Sequence, residues 1–157
     1  MNATEEDVID HEELDTEQYL TFIMDGEEYG IDILAVQEIR GWESATPIPH
    51  SPPYMKGVIN LRGTIVPIMD LRARFSLPFQ PYTEETVVVV LKVATDSISR
   101  TMGIIVDAIS DVYDIPLENI KSTSLADNQN SRFIKGLVTV KERMVILLEL
   151  EKLLTLD

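Results

Sequence analysis

Two stretches of this chain superimpose on two later ones without a gap, and that repetition limits the possible folds more than any other feature. Adding 79 to the residue numbers lays KGVINLRGTIVPIMDL (56–71) on KGLVTVKERMVILLEL (135–150), matching Lys, Gly, several aliphatics, an acid and the final Leu. Adding 73 lays YGIDILAVQEI (29–39) on MGIIVDAISDV (102–112), so that Gly30 falls on Gly103, Ala35 on Ala108 and Glu38 on Asp111. Two ordered matches in the same relative position indicate an internal duplication, with halves near 18–80 and 84–154. A chain of 157 residues has room for two small cores that share a seam, because domains usually run from ~50 to ~200 residues.

Each half reads as short β-rich runs separated by turn residues. YLTFIM (19–24) and YGIDI (29–33) form a predicted hairpin, with Asp25-Gly26 supplying the positive backbone angles of a tight turn. LAVQEI (34–39) suits a short helical turn, and PIPHSPP (47–53) must be loop because repeated prolines remove ladder donors. KGVINL (56–61) and TIVPIMDL (64–71) make a second hairpin across Arg62-Gly63, with Pro67 marking an edge or a bulge. ETVVVVLKV (85–93) and TMGIIVDAI (101–109) are expected strands, and GLVTV (136–140) with RMVILLEL (143–150) gives another hairpin around Lys141-Glu142. In LEKLLTLD (150–157), Leu150, Leu153 and Leu154 share one helical face, which predicts a C-terminal helix sealing the core. The expected fold class is therefore all-β, with about five short strands per half, the number of a small SH3-like or OB-like barrel whose closure protects its edges.

Charge narrows the partners. The formal net charge is -14, with 13 Lys and Arg against 27 Asp and Glu, the opposite of what a phosphate backbone attracts, so nucleic-acid binding is disfavoured. Residues 1–17 hold Glu5, Glu6, Asp7, Asp10, Glu12, Glu13, Asp15 and Glu17 with no Lys or Arg, which leaves the remainder near about -6. Val8, Ile9 and Leu14 are too few apolar groups to offset the entropy of ordering this lead-in, so 1–16 reads as a flexible acidic tail, with a helical turn around Val8 to Leu14 as the alternative. The start MNATEEDVID lacks the pattern of a signal peptide, and no run approaches the ~18 apolar residues that span a bilayer. A reducing cytoplasm fits, with any membrane association indirect, through a partner.

Chemistry is sparse. With no cysteine, thiolate catalysis, Fe–S clusters and Cys-based zinc sites are excluded. His11 lies in the acidic lead-in and His50 in a proline loop, and neither has a credible Ser or Cys companion in a strained elbow. No calcium loop, phosphate loop or dinucleotide fingerprint occurs, so neither an enzyme nor a cofactor or metal site is expected. What remains is Glu38 and Arg62, which flank the best-patterned segments. The Arg fork suits a carboxylate, although a surface pair of this kind contributes only ~0 to 1 kcal/mol. Ile33, Val36, Ile39 and Trp42 are apolar beside them, part core and part a candidate exposed strip of the sort that marks a partner site.

At these residues the chain resembles the CheW family of bacterial chemotaxis coupling proteins. The matching strings are FIMDGEEYGIDILAVQEIRGW, TPIPHSPPYMKGVINLRGTIVPIMDLRARF, MGIIVDAISDV and the ILLELEKLL ending, which together span most of 18–154. The resemblance implies a CheW-like domain over 17–157, made of two intertwined five-stranded SH3-like barrels (about 18–80 and 84–154), with no enzymatic activity and no cofactor. It implies a protein that bridges methyl-accepting chemoreceptor tips to the regulatory domain of the histidine kinase CheA at receptor arrays on the inner membrane face. Carried over by motif, the receptor-binding candidates are Ile33, Val36, Glu38, Gly57, Asn60, Arg62, Ile105 and Ile109, in a groove between the barrels. Trp42, Thr46 and Leu125 are the implied kinase-binding candidates. Two features depart from the family pattern: the long acidic lead-in, and the polar run SLADNQNSRF (124–133), where a kinase contact is expected. The alternative function is a CheW-like scaffold for a histidine kinase outside chemotaxis.

Overall fold

The structure is a computed structural model and describes residues 15–95, 98–122 and 131–155. In chain order come β1 (Thr16–Met24), β2 (Glu27–Asp32), a 3-10 turn (Ile33–Ala35), β3 (Val36–Gly41), β4 (Met55–Leu61), β5 (Thr64–Asp70) and α1 (Leu71–Arg74). β6 (Val87–Thr95), β7 (Ile98–Val106) and β8 (Ala108–Pro116) follow, then 3-10 turns at Leu117–Asn119 and Ser131–Phe133, β9 (Ile134–Val140), β10 (Arg143–Leu148) and α2 (Leu150–Leu153). The strands form two five-stranded sheets, in the orders β8-β1-β2-β10-β9 and β3-β6-β7-β5-β4. The fold is mainly β, as expected.

The tight turns share one backbone solution. Asp25 and Gly26, Arg62 and Gly63, and Lys141 and Glu142 all have positive φ, at 54° and 81°, 51° and 90°, and 51° and 67°. Two consecutive left-handed residues match the right-handed twist of the strands they join, so each turn closes its hairpin without splaying it. In the β4–β5 turn the Gly63 N–H donates to Asn60 Oδ1 at 2.7 Å, which fixes the loop that carries Arg62. Pro67 sits opposite Val58 and just before Ile68, where parallel pairing to β7 begins, so its missing donor falls where β5 has a neighbour on one side only.

The repeat is visible atom by atom, but the halves are not the sheets. Ile68 of β5 lies opposite Gly103 of β7, and Leu147 of β10 lies opposite Gly30 of β2, both in parallel register. These are equivalent pairs under the two offsets. Each sheet thus takes strands from both halves: β1 and β2 join β8, β9 and β10, while β6 and β7 join β3, β4 and β5. The boundaries 18–80 and 84–154 describe the duplicated sequence, not the structural units, because each half sends two strands into the other's sheet.

Side-chain alternation then builds three cores. Along β6, Val88 and Val90 face a cluster with Leu61, Val66, Ile68 and Ile105, while Val89 and Leu91 face the opposite way. In the other sheet Tyr19, Ile115, Val138, Val145 and Leu147 form the matching cluster. Between the sheets, Leu20, Phe22, Met24, Ile31, Met69, Val89, Leu91, Met102, Ile104, Val106 and Leu148 pool into a shared core. The uninterrupted valines of 87–90 are a strand with both faces buried.

Several expectations change in detail. Only Ile33–Ala35 is helical in the 34–39 region, and Val36–Gly41 is a strand, since β-branched Val36 and Ile39 fit the ladder to β6. The strand expected over 101–109 breaks at Asp107, where the chain leaves one sheet and starts β8 in the other. The C-terminal helix spans only Leu150–Leu153, although Leu150, Leu153 and Leu154 are buried as predicted. The last two residues of the expected tail are built in: Thr16 pairs with Pro116, and the Asp15 carbonyl accepts from Leu117 N at 2.9 Å.

Candidate functional site

Glu38 and Arg62 meet. Arg62, at the tip of the β4–β5 turn, donates from Nη2 to Glu38 Oε1 at 2.5 Å, and Arg40 Nη1 stands 3.6 Å from Glu38 Oε2. Glu38 is displayed by β3, where a bulge between Val36 and Glu38 re-aims the strand against β6. The Arg62 side chain is 73% exposed and that of Glu38 27%, so the carboxylate is held at the surface between two cations and the Arg62 fork is presented outward. An exposed pair contributes little to stability.

Ile33, Val36 and Ile109 are half-buried and lie on the rim of the shared core between the sheets, as does Val87. Ile39, in β3 beyond Glu38, is 42% exposed. Val36 and Glu38 lie on β3, Ile33 in the turn that leads into it and Val87 on its partner β6, which gives an apolar margin next to a charged one, while Ile109 lies on β8 of the other sheet. Asn60 is exposed, but its side chain is engaged in the Arg62 turn.

Two of the implied receptor-binding residues are not surface groups. Ile105 is 3% exposed, inside the cluster with Val66, Ile68 and Val90. Its alternate neighbours on β7 face the shared core, so the expectation that it lines a groove fails on the pleat. Gly57 is buried at φ 143°, and a Cβ there would collide with the Thr46 carbonyl. It permits the paired hydrogen bonds Thr46 N to Val58 O and Val58 N to Thr46 O, both 2.9 Å, and so positions a loop without offering a contact of its own.

Trp42 and Thr46 lie together on the segment after β3, which bridges to β4 through Thr46 and Val58, and line a surface pocket of about 280 Å³ with Arg40, Ala45 and Asn60. Trp42 packs edge-on against Tyr82 at 5.2 Å, and Tyr82 donates to Asp70 Oδ2 at 2.6 Å. Burial and the Asp70 carboxylate push the Tyr82 phenol far above its ordinary pKa, so it stays a donor. Leu125, the third kinase candidate, lies outside the described residues.

One cluster was not legible as a motif. Arg72, 7% exposed, grips Asp107 with two bonds (Nε to Oδ1, 3.0 Å; Nη2 to Oδ2, 2.9 Å), donates Nη1 to Pro78 O at 2.7 Å, and stands 3.4 Å from Asp25 Oδ1. It ties α1 to the β1–β2 turn and to the crossing between the sheets. The only sequence sign was an Arg in the otherwise apolar start of a helix. Elsewhere, Lys135 Nζ donates to Tyr19 OH at 2.6 Å and Tyr19 donates to Glu17 Oε1 at 2.6 Å, and burial pushes the Tyr19 phenol up to about 12. Among the described residues no three His, Cys, Asp or Glu side chains converge on a metal position, and no helix is long and apolar enough to cross a membrane.

Two intertwined five-stranded sheets that display an ion pair beside an apolar seam define an interaction module. The family model described as CheW-like domain matches residues 18–157, and the chain belongs to that family of chemotaxis scaffold proteins. It is 45% identical over 140 residues to the chemotaxis protein CheW of Klebsiella aerogenes, covering 88% of this chain and 82% of that one. It is 36% identical over 106 residues to the chemotaxis protein CheW of Bacillus subtilis, covering 68% and 65%. The crystal structure of the scaffolding protein TtCheW from Thermoanaerobacter tengcongensis superposes with a TM-score of 0.80 at 27% identity, covering 90% of each chain.

Proposed function

We propose that this protein couples chemoreceptor signalling tips to the histidine kinase CheA and carries receptor control to the kinase through contacts, with no chemistry of its own. The observation that carries the reading is the Glu38–Arg62 pair, displayed at the surface by the strand that also carries the half-buried Val36. A receptor helix packs its apolar face on such a rim and offers carboxylates to the displayed guanidinium. In this reading Ile33, Val36, Glu38, Arg62 and Ile109 touch the receptor, Asn60 and Gly57 hold the loops that aim them, and Ile105 supports the sheet from within. The pocket beside Trp42 and Thr46 belongs to the kinase face. Recruitment to arrays at the inner membrane face follows in this reading from the receptor contact.

The test is capture of a receptor signalling tip and of the kinase regulatory domain by the purified protein, each measured separately. Arg62→His is expected to weaken the receptor tip about tenfold while leaving kinase capture and thermal stability unchanged, the size of a lost charge-assisted contact. Failure to capture either partner at moderate salt overturns the reading. So does an Arg62→His protein that unfolds but retains full receptor affinity per folded molecule.

A further inference from the structure

The repeat extends to the two places where the chain crosses between sheets, and there the halves differ. The β7–β8 crossing at Asp107 is closed by the Arg72 grip on Asp107 and Asp25. The equivalent crossing runs from β2 to β3 through Ile33–Ala35. Under the same offsets, Asp107 corresponds to Leu34 and Arg72 to Glu151. The pairings Phe22 with Ile109 and Leu91 with Val36 put β1 and β6 in equivalent register, so Asp25 corresponds to Ala94. All three ionic partners have thus been replaced, by an apolar group, an acid and a methyl.

What results is an opening in place of a closed contact. Leu34, Ala94 and Glu151 line one cleft of about 260 Å³, walled further by Val93, Leu148 and Leu150. Leu34 stands 86% exposed at its mouth, the largest exposure among the big apolar residues described. Its backbone is held there by Asp32, whose Oδ1 accepts from Leu34 N at 2.9 Å. The cleft's charged groups are Asp32, Glu149, Glu151, Lys92 and Lys135. Lys135 is already engaged by Glu17 and Tyr19, which leaves the acids in excess. The acidic lead-in is the wrong occupant, since residues 1–14 hold six acids and no Lys or Arg.

We propose that this cleft is a docking site for a partner protein segment that presents an arginine beside a large apolar side chain, the arginine meeting Glu151 and the apolar group covering Leu34. The repeat supplies the template: at the other crossing a guanidinium already fills the equivalent space, with its carboxylates on the opposite wall. The cleft borders the proposed receptor rim, since Leu34 and Ala35 lie between Ile33 and Val36, but its lining includes neither Glu38 nor Arg62.

The experiment titrates isotopically labelled full-length protein with two designed amphipathic helical peptides that share an apolar stripe and differ in carrying Arg or Glu beside it. The Arg peptide is expected to shift the amides of Leu34, Ala94 and Glu151 and to bind about tenfold more tightly than the Glu peptide, the scale of one close charge pair. Glu151→Arg is expected to invert that preference, and Leu34→Ser to weaken the Arg peptide while the amide spectrum elsewhere stays that of the folded protein. Equal binding of the two peptides overturns the proposal, as do shifts confined to the Val36 and Ile109 rim. Self-association through Leu34 in sedimentation, with no response to either peptide, also overturns it and assigns the cleft to a second copy of the chain.

Discussion

The two glycines that the repeat equates predict an unequal response to the same substitution. Gly30 and Gly103 each lie opposite the aliphatic residue of a parallel neighbour, and neither has a positive φ, so an alanine is limited by space alone. A Cβ on Gly30 would come within 2.9 Å of Leu147 Cδ2, the far end of a flexible side chain. A Cβ on Gly103 would meet two atoms at once, Ile68 Cδ1 at 2.7 Å and Val88 Cγ1 at 2.8 Å, and the second belongs to a β-branched residue with one stiff torsion. Overpacking of this kind costs about 1–3 kcal/mol, against a gain of about 0.4–1 kcal/mol from restricting the unfolded chain. Gly30→Ala should therefore be close to neutral, and Gly103→Ala destabilising by about 1–2 kcal/mol. At about 2–4 °C per kcal/mol for a chain of this size, the Tm of Gly103→Ala falls by about 2–8 °C. Ile68→Val removes one of the two clashing atoms, so Gly103→Ala should cost roughly half as much in that background. Urea unfolding of the four proteins measures the cycle. A Gly103→Ala protein as stable as the parent, or no worse than Gly30→Ala, would refute the packing argument.

The remaining predictions concern the buried polar groups. Replacing Arg72 with Met strands Asp107 and Asp25, both partly solvated, and should cost about 1–3 kcal/mol in urea unfolding, while Arg72→Lys recovers only part because a single ammonium cannot make the paired bonds. A loss below about 0.5 kcal/mol would show that the grip holds nothing. Tyr19 carries a folded-state pKa of about 12, raised by burial above the ordinary 10, so its contribution is complete below pH 10 and is lost between about 10 and 12 as the unfolded phenol ionises first. Stability in urea should fall over that window more steeply than in Tyr19→Phe, and parallel alkaline profiles for the two proteins would contradict it.

Much of the candidate site could be read from the chain. Arg62 and Gly63 between two alternating runs mark a tight turn, and the placement of Glu38 within a strongly patterned segment makes the pair chemically sensible before any coordinates. Gly57 and Ile105 are buried, which no motif reveals, because a motif records which residues recur and not which way they face. Whether Ile105 is a contact or a core residue depends on where β7 ends, and that boundary at Asp107 is set by a crossing between sheets. The Arg72 cluster is hidden for a related reason: its partners Asp25 and Asp107 lie 47 and 35 positions away in sequence, with no local pattern linking them.

The amino-acid sequence alone determined the local pieces of this protein: its hairpins, the left-handed turns that close them, and the equivalence of Gly30 with Gly103 and of Ile68 with Leu147. These follow from periodicity and turn chemistry acting over a few residues. Only the tertiary structure decided which hairpin pairs with which. In a duplicated chain the same edges are offered twice, so β5 could meet β2 or β7 with similar local chemistry. The choice is made by burial of the shared core, where Phe22, Met69, Leu91 and Met102 come together from both sheets. That choice also leaves one crossing locked by Arg72 and the other open beside Leu34.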